Sequence, residues 1–244
     1  MTKPRVFEYK DEDGETMKGI LHYPNNSAEA KKSPAVLVFH AFGGCTEFES
    51  GRAAVLAEEG FIALAADVYG NGKRGSSREE NFGMMKPLIS DRSGVLKTRL
   101  LAAVHALRSL PEVDTERVGA IGYCFGGLCA LDLARHNVGL RAAVSFHGTL
   151  TPIPGLELSP ITTSVQVHHG DSDPHLPAET VTNFMLEMRT RKADWLFTSY
   201  GNAEHAFTEP EVDKLGVAGV SYNKEADRRS WSSTVAFLKE RLAA

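Results

Sequence analysis

The sequence predicts an α/β fold in which helices cover both faces of a mostly parallel central sheet. Short apolar runs such as 35–40 and 61–67 recur along the chain, and segments of helical character follow them. Continuous apolar runs are typical of strands buried on both faces, and alternating strands and helices are typical of a parallel sheet. The length of 244 residues fits one large domain of this class, so we expect a single domain over residues 1–244.

The first strands are predicted to form a β-hairpin. They run from Val6 to Tyr9 and from Met17 to Tyr23, on either side of a turn at Asp11–Gly14. The polar segment from Pro24 to Pro34 follows, and its composition indicates a loop between two strands rather than a domain boundary.

Buried strands then alternate with helices along the rest of the chain. The regularly spaced leucines of 93–110 fall on one helical face. About 16 residues separate Phe146 from Thr163, which is too few for a helical lid, so we expect no cap domain. The predicted strands are 35–40, 61–67, 117–123, 141–146, 163–169 and 194–200. The predicted helices are 47–59, 78–89, 93–110, 126–135, 176–192 and 227–242.

Composition narrows the function classes. A formal net charge of −4 gives no indication of nucleic acid or an anionic membrane surface as a partner. No apolar run reaches the roughly 18 residues that span a bilayer, and the N-terminus lacks a signal-peptide core, so we expect a cytoplasmic protein. The three cysteines are expected to be reduced thiols. The sequence leaves monomer and homodimer open.

A glycine-rich turn between a predicted strand and a predicted helix carries a cysteine. Its sequence, Gly-Tyr-Cys-Phe-Gly-Gly over 122–127, matches the pattern of a nucleophile elbow with Cys124 in place of serine. Small neighbours let strand and helix approach, and the helix N-terminus favours a thiolate and a developing oxyanion. Cys124 is therefore the predicted nucleophile of an α/β-hydrolase fold. The alternative is a small buried residue in a packing turn.

Chain order supplies the partners of Cys124. In this fold an acid and then a histidine follow the nucleophile, each in a loop after a later strand. The first such loop offers Asp171 and Asp173, and we favour Asp173 because it lies further past the strand end. His205 occupies the loop after the next strand. The alternatives are turn-forming aspartates and a solvated loop histidine.

The residue types assign the roles within this group. His205 would take the proton of Cys124, or pair with its thiolate, and later protonate the leaving group. Asp173 would hold the imidazole in the correct tautomer. The oxyanion needs two backbone donors, for which we predict the N–H groups of Phe125 and Phe42.

Motifs along most of the chain resemble those of the dienelactone hydrolase family of α/β-hydrolases. The similar segments are 122–127 around Cys124, Asp-Val-Tyr-Gly at 67–70, Gly-Asp-Ser-Asp-Pro-His-Leu-Pro at 170–177, and His-Ala-Phe at 205–207. The resemblance spans roughly residues 15 to 240. It implies a Cys124, Asp173, His205 triad that acts on a small ester or lactone, with no cofactor, no metal and no cap domain.

Two positions depart from that family's pattern. Members that act on dienelactone carry a glutamate that contacts the resting cysteine, where this chain has Ala41, and an arginine after the histidine, where it has Glu209. Glu209 would repel a substrate carboxylate, so we expect neutral or cationic esters to be preferred over anionic lactones. Arg74 or Arg78 could match a second substrate-binding arginine, or could simply be solvated.

Two further histidines and one segment lie close to these loops. His147 follows a predicted strand and His40 is the last residue of one, and each either lines the pocket or is a buried structural histidine. The segment 211–223 follows the His205 loop and is predicted to form a rim that shapes the site.

Three other functions stay open. A metal hydrolase could use the ligand-type side chains of 168–175, although adjacent residues at a strand end point to opposite faces. Those side chains are His168, His169, Asp171, Asp173 and His175. The fold could also serve as a ligand pocket without catalysis. Finally, the same triad could hydrolyse thioesters or transfer acyl groups, because an acyl-cysteine is itself a thioester.

Overall fold

The computed structural model describes residues 4–25 and 32–243, which contain eight strands and six α-helices. The strands are β1 (Arg5–Lys10), β2 (Thr16–His22), β3 (Ser33–Phe39), β4 (Ile62–Ala66), β5 (Val113–Tyr123), β6 (Ala142–Phe146), β7 (Ser164–Gly170) and β8 (Trp195–Tyr200). The helices are α1 (Glu47–Glu58), α2 (Arg78–Ser90), α3 (Val95–Arg108), α4 (Phe125–Arg135), α5 (Ala178–Thr190) and α6 (Lys224–Arg241).

All eight strands belong to one sheet with the order β1-β2-β4-β3-β5-β6-β7-β8. The predicted hairpin is present, since β1 pairs antiparallel with β2, and β2 also runs antiparallel to β4. The pairs from β4 through β3 to β8 are parallel. The prediction of a mostly parallel sheet is therefore confirmed.

Alternate residues of β3 show how helices cover both faces of the sheet. Leu37 and Phe39 pack into the cluster that contains residues of α2, α3 and α4. Val36 and Val38 pack on the opposite face with residues of α1 and α6. The helix α5 packs beside α4 against β6 and β7. These strand side chains have no exposed surface, and burying each stabilises the fold by about 1.5–3 kcal/mol.

The segment 147–163 connects β6 to β7 without a helix, so no cap covers this part of the sheet. Buried arginines fix it by donating hydrogen bonds to its carbonyl oxygens, and Asp132 and Glu187 balance their charge. A buried charge needs such partners because its desolvation is costly. The contacts run from Arg92 to Pro152 O at 2.9 Å, from Arg135 to Leu150 O at 2.9 Å, and from Arg191 to Ser159 O at 2.7 Å.

Two element boundaries differ from prediction by more than two residues. The last helix begins at Lys224 rather than 227, because the side chain of Asn223 accepts a hydrogen bond from the Ala226 N–H at 3.1 Å and caps the helix there. The strand β5 begins at Val113 rather than 117, because Val113 already pairs with Ser33 of β3, ahead of a register shift between the two strands. The predicted loop 24–34 lies largely outside the described residues.

None of the helices described is both long enough and apolar enough to cross a membrane. The cytoplasmic location and the single-domain organisation of 1–244 stay predictions.

Candidate active site

Cys124 lies at a sharp turn between β5 and α4. Its backbone has φ 51° and ψ −111°, a conformation that is rare for residues other than glycine. The turn is held by hydrogen bonds from the Cys124 N–H to Phe146 O and from the Gly127 N–H to Cys124 O, both at 3.0 Å. The side chain is partly exposed. The cysteine thus occupies a strained strand-to-helix turn, as the elbow motif predicts.

Glycine is required on both sides of this turn. A Cβ added to Gly122 would lie 2.0 Å from Gly126 O, and one added to Gly126 would lie 2.2 Å from Phe39 O. Real Cβ atoms essentially never approach other atoms below 3.0 Å. The first turn of α4 therefore packs directly against the carboxyl ends of β3 and β5.

His205 lies between Cys124 and Asp173. Its Nε2 is 3.2 Å from Cys124 Sγ, and its Nδ1 is 2.8 Å from Asp173 Oδ2. Asp173 is buried, and its other oxygen accepts a hydrogen bond from the His175 N–H at 2.8 Å. The structure thus brings together the three residues that the sequence singled out. Asp171 is exposed and accepts instead from the Ser199 hydroxyl.

The acid and the histidine change each other's proton affinity. Burial would lower the pKa of His205, but the neighbouring Cys124 sulfur and the Asp173 carboxylate outweigh it and raise this pKa to about 10. Burial would raise the pKa of Asp173, but the hydrogen bond from His205 and that from the His175 N–H hold it below its ordinary value. An imidazole in this setting is protonated at neutral pH and can deliver a proton to a leaving group.

The backbone of His205 is held by a segment that the sequence indicated only as a rim. The His205 N–H donates to Gly219 O at 3.1 Å, and the Ser221 N–H donates to His205 O at 3.2 Å. Gly219 has φ 77° and packs closely on Pro174, the neighbour of Asp173. The segment 211–223 therefore orients the histidine as well as bordering it.

The two backbone N–H groups predicted to bind an oxyanion belong to Phe42, which follows the end of β3, and to Phe125, the first residue of α4. Neither the Phe42 N–H nor the Phe125 N–H makes a hydrogen bond to another residue within 4–25 and 32–243. The loop that carries Phe42 is fixed, because the Tyr69 hydroxyl donates to Phe42 O at 2.8 Å and Glu49 Oε1 accepts from the Ala41 N–H at 3.2 Å. Free N–H groups on a fixed loop and a helix N-terminus can bind an anion.

The supporting residues Glu49 and Tyr69 were not predicted from the sequence. A signal for Glu49 was present, since Thr46 and Glu49 have the spacing of a helix capping box, which the structure contains. For Tyr69 the only signal was its place in the 67–70 motif.

His147 is fully buried beside His205. Its Nε2 is 2.8 Å from Thr208 Oγ1, and its ring meets the His205 ring edge-on at 5.2 Å. A predicted substrate contact by His147 is not supported, because the side chain has no exposed surface. Its place against the imidazole is that of a packing residue.

The charged residues predicted to contact substrate have different surroundings. Glu209 is partly buried, and its carboxylate has no hydrogen-bond partner among the residues described. Burial and the nearby Glu49 raise the pKa of Glu209 to about 7.

The two arginines predicted to contact substrate are more exposed. Arg74 is exposed and pairs with Glu47 at 3.1 Å, and Arg78 is exposed at the start of α2. Ala41 is half-buried within the Phe42 loop.

The histidine-rich segment at the end of β7 does not form a ligand cluster. His168 is buried, with Nδ1 2.9 Å from the Tyr200 hydroxyl and Nε2 2.9 Å from Thr234 Oγ1. Throughout the described part of the chain, no three His, Cys, Asp or Glu side chains are grouped so that they could hold a metal ion.

An elbow cysteine followed by an acid and a histidine on later loops of a mostly parallel sheet defines an α/β-hydrolase-fold protein. A sequence model of the dienelactone hydrolase family matches residues 17–242, and the chain belongs to that family. The predicted fold and family are thereby confirmed, as is the prediction of a carboxylic ester hydrolase. The roles of the individual site residues stay predictions.

Relatives and solved structures agree with this assignment. The protein K02A2.1 of Caenorhabditis elegans is 51% identical over 158 residues, which cover 64% of this chain and 100% of that protein. A probable 2-oxo-3-(5-oxofuran-2-ylidene)propanoate lactonase from a Bradyrhizobium species is 29% identical, covering 84% of this chain and 83% of its own. The crystal structure of a dienelactone hydrolase-like promiscuous phosphotriesterase from metagenomic libraries is similar with a TM-score of 0.92, at 35% identity over 98% of both chains.

Proposed function

We propose that this protein hydrolyses small carboxylic esters or lactones through an acyl-cysteine intermediate on Cys124. The observation that carries the proposal is the chain of contacts from Cys124 Sγ to His205 Nε2 at 3.2 Å and from His205 Nδ1 to Asp173 Oδ2 at 2.8 Å. A nucleophile within reach of a base that is itself oriented by an acid is the arrangement that covalent catalysis needs.

Acylation begins when the Cys124 sulfur attacks the substrate carbonyl carbon. The carbonyl π electrons move to oxygen, and the N–H groups of Phe42 and Phe125 bind the resulting oxyanion. Collapse of this intermediate breaks the carbon–oxygen bond of the ester. The His205 imidazolium gives its proton to the departing alkoxide, which leaves as an alcohol.

Deacylation uses the same residues in reverse. The neutral imidazole of His205 takes a proton from water, and the water oxygen attacks the thioester carbonyl. The oxyanion site binds the second tetrahedral intermediate, and the Cys124 thiolate then departs. The carboxylic acid is released, and the imidazolium beside Asp173 is restored.

Burst kinetics with a neutral aryl acetate test this mechanism. Wild type, Cys124→Ala and Cys124→Ser are compared with a metal chelator present throughout. We expect a burst of aryl alcohol equal to the enzyme concentration in wild type, and intact-protein mass spectrometry should find one added acyl group. Cys124→Ala should show neither.

A matched control is Cys129→Ala, because Cys129 is a buried thiol on the same helix, α4. This variant should keep the burst. Undiminished turnover in Cys124→Ala would overturn the proposal, and turnover that chelator abolishes would point to a metal. Binding of the ester without turnover in wild type would favour a ligand-binding protein.

The same experiment can also show which molecule accepts the acyl group from Cys124. Thioester hydrolysis and acyl transfer share the acyl-cysteine with ester hydrolysis. Adding a competing thiol or alcohol separates transfer from hydrolysis, and comparing a thioester with the matching oxygen ester separates the two hydrolytic activities. If transfer dominates, the second product is a new ester or thioester, and the free acid is the minor product.

We also propose that Glu209 biases the site toward neutral and cationic esters. Its unpaired carboxylate lies close enough to His205 for their charges to interact. Two opposite charges lie near Glu209, and each already has a partner: the His205 imidazolium pairs with Asp173 at 2.8 Å, and Arg52 pairs with Asp227 at 2.6 Å. A positive group on the substrate would therefore be attracted, and a carboxylate repelled.

The bias can be measured with an ester that carries a quaternary ammonium group and its isosteric tert-butyl analogue. Because the pKa of Glu209 is about 7, the ratio of their kcat/KM values should rise between about pH 6 and about pH 8 in wild type. In Glu209→Gln the ratio should not change with pH. Faster turnover of dienelactone than of a neutral aryl ester would contradict the bias.

A further inference from the structure

We propose that His40 is a positioning residue that aims the Phe42 N–H at the oxyanion. This inference rests on the proposed function, because it concerns the same hydrolytic site. His40 itself has no exposed surface and does not touch the substrate. It acts through the peptide bond that joins Ala41 to Phe42.

The hydrogen bonds of His40 fix its tautomer. Its Nε2 lies 3.2 Å from the Val68 backbone nitrogen, whose N–H can only donate, so Nε2 is the acceptor. Its Nδ1 lies 2.6 Å from Ala41 O, which can only accept, so Nδ1 carries the proton. The ring is therefore a neutral imidazole that links the end of β4 to the Phe42 loop.

This contact determines where the Phe42 N–H points. In a trans peptide the carbonyl of one residue and the N–H of the next point in opposite directions. Ala41 O is held on one side by His40 Nδ1–H and by the Gly44 N–H at 3.2 Å. The Phe42 N–H must therefore project to the other side, where it has no partner within the described residues.

Two further observations indicate that the peptide bond between Ala41 and Phe42 lies close to the Cys124 turn. A Cβ on Gly126 would lie 2.8 Å from His40 O, so the loop begins against the first turn of α4. The His40 ring also packs on the Phe125 ring at 5.9 Å, and Phe125 supplies the other predicted donor. Donation to Ala41 O also polarises the peptide, which makes the Phe42 N–H a better donor.

Two substitutions at His40 separate its two hydrogen bonds. The side-chain amide of His40→Asn can occupy the place of Nδ1 and keep the bond to Ala41 O, while losing the acceptor for the Val68 N–H. The longer side chain of His40→Gln can accept from the Val68 N–H and lose the bond to Ala41 O. Each variant loses one buried hydrogen bond, so the midpoints of urea unfolding of the two variants should fall by similar amounts.

The readouts are the acylation rate of Cys124 by an aryl ester and its alkylation rate by iodoacetamide. Only acylation forms an oxyanion. We expect His40→Gln to lower the acylation rate and kcat by about 10- to 100-fold with little change in KM, since removing a whole oxyanion donor costs about 10²–10³. Its alkylation rate should stay at the wild-type value, and His40→Asn should keep both rates near wild type.

An independent pair of variants tests the hydrogen bond from Tyr69, which also holds the Phe42 loop. Tyr69→Phe removes the hydroxyl that donates to Phe42 O at 2.8 Å, and Tyr9→Phe removes a buried hydroxyl that donates to Asp67 O at 2.9 Å. The two lose the same kind of bond. Only Tyr69→Phe should slow acylation.

The inference on His40 is overturned if His40→Asn and His40→Gln lose acylation equally, or if alkylation falls together with acylation. Either result would show a role in folding or in the nucleophile itself. Failure of the proposed function gives a different result, because wild type would then form no acyl-cysteine at Cys124.

Discussion

Cys124, the predicted nucleophile, and its predicted partners His205 and Asp173 are held in place by different means. The Cys124 turn is fixed by backbone packing at glycines, where a single added carbon has no room. His205 instead depends on hydrogen bonds from two segments distant in sequence, one carrying Asp173 and one carrying Gly219 and Ser221. The first region should therefore tolerate almost no change in shape. The second should respond less to changes in shape than the first, and strongly to changes in charge.

The largest effect is expected from Gly122→Ala. Its Cβ would lie 2.0 Å from Gly126 O, so β5 and α4 would have to separate. Overpacking of this kind usually lowers the free energy of unfolding by about 1–3 kcal/mol. Because rigid backbone lies on both sides of Gly122, we expect the loss here to be at or beyond the upper end of that range. We expect loss of the acyl burst and a large fall in the midpoint of urea unfolding.

The matched control is Gly51→Ala. Gly51 is exposed in α1, and a Cβ there would meet nothing within 4 Å. The free energy of unfolding of this variant should rise by about 0.5–1 kcal/mol, because alanine favours a helix interior more than glycine does. If Gly122→Ala and Gly51→Ala had the same unfolding midpoint and the same acyl burst, close packing would not be what fixes the Cys124 turn.

The next largest effect, on activity alone, is expected from Asp173→Asn. A neutral amide cannot stabilise the imidazolium of His205, so kcat should fall by about 10²–10⁴. The pKa of His205 should also fall from about 10, which NMR titration of the ring measures. Asp171→Asn changes an exposed carboxylate in the same loop and should leave both quantities unchanged. A normal kcat in Asp173→Asn would show that the acid is not needed.

The two regions also differ in how well the sequence predicts them. The elbow was predictable because its constraint is local, since Gly122, Cys124 and Gly126 are close in sequence and share one turn. Chain order selected the loops that carry Asp173 and His205, and the position further past the strand end favoured Asp173 over Asp171. The pairing of His40 with Val68 was not predictable, because it depends on strands β3 and β4 lying side by side.

Charge environments were the least predictable part of the site. The sequence indicated Glu209 as an acidic group close to the substrate. Its raised pKa, however, depends on burial and on Glu49, which belongs to a helix far from Glu209 in sequence but close to it in the fold. His147 was placed correctly at the end of its strand. Whether it was exposed or buried could be decided only once Thr208 and His205 were seen to pack on it.

A moderate effect is expected where a glycine supports His205. Gly219 and Gly216 both have positive φ, 77° and 59°, so alanine at either should cost about 1–2 kcal/mol of stability through backbone strain. Gly219→Ala should cost more, because its Cβ would lie 2.3 Å from Pro174 Cγ and Pro174 would have to shift. Only Gly219 packs on Pro174 and accepts the His205 N–H. We expect Gly219→Ala to lower kcat about tenfold while Gly216→Ala leaves it unchanged. Equal kcat values would mean that this segment does not orient the imidazole.

The smallest effect is expected from Glu209→Gln, and it depends on pH. The pKa of Glu209 is about 7 in the folded protein and about 4.3 when unfolded. Between those values the folded state binds more protons, so the contribution of Glu209 to stability falls as pH rises from about 4 to about 7. The glutamine variant lacks this loss. Its free energy of unfolding should match that of wild type near pH 4 and exceed it by about 1–2 kcal/mol at pH 8.

Urea unfolding at several pH values checks this, with Glu211→Gln as a control on the exposed surface two residues away. Glu211→Gln should follow the wild-type curve throughout. If Glu209→Gln also follows it, the carboxylate is well solvated and the proposed attraction for cationic substrates weakens with it. If Glu209→Gln gains stability only at high pH, the partly buried charge that we propose selects substrates also destabilises the folded protein. That is the behaviour expected of a region that depends on charge more than on packing.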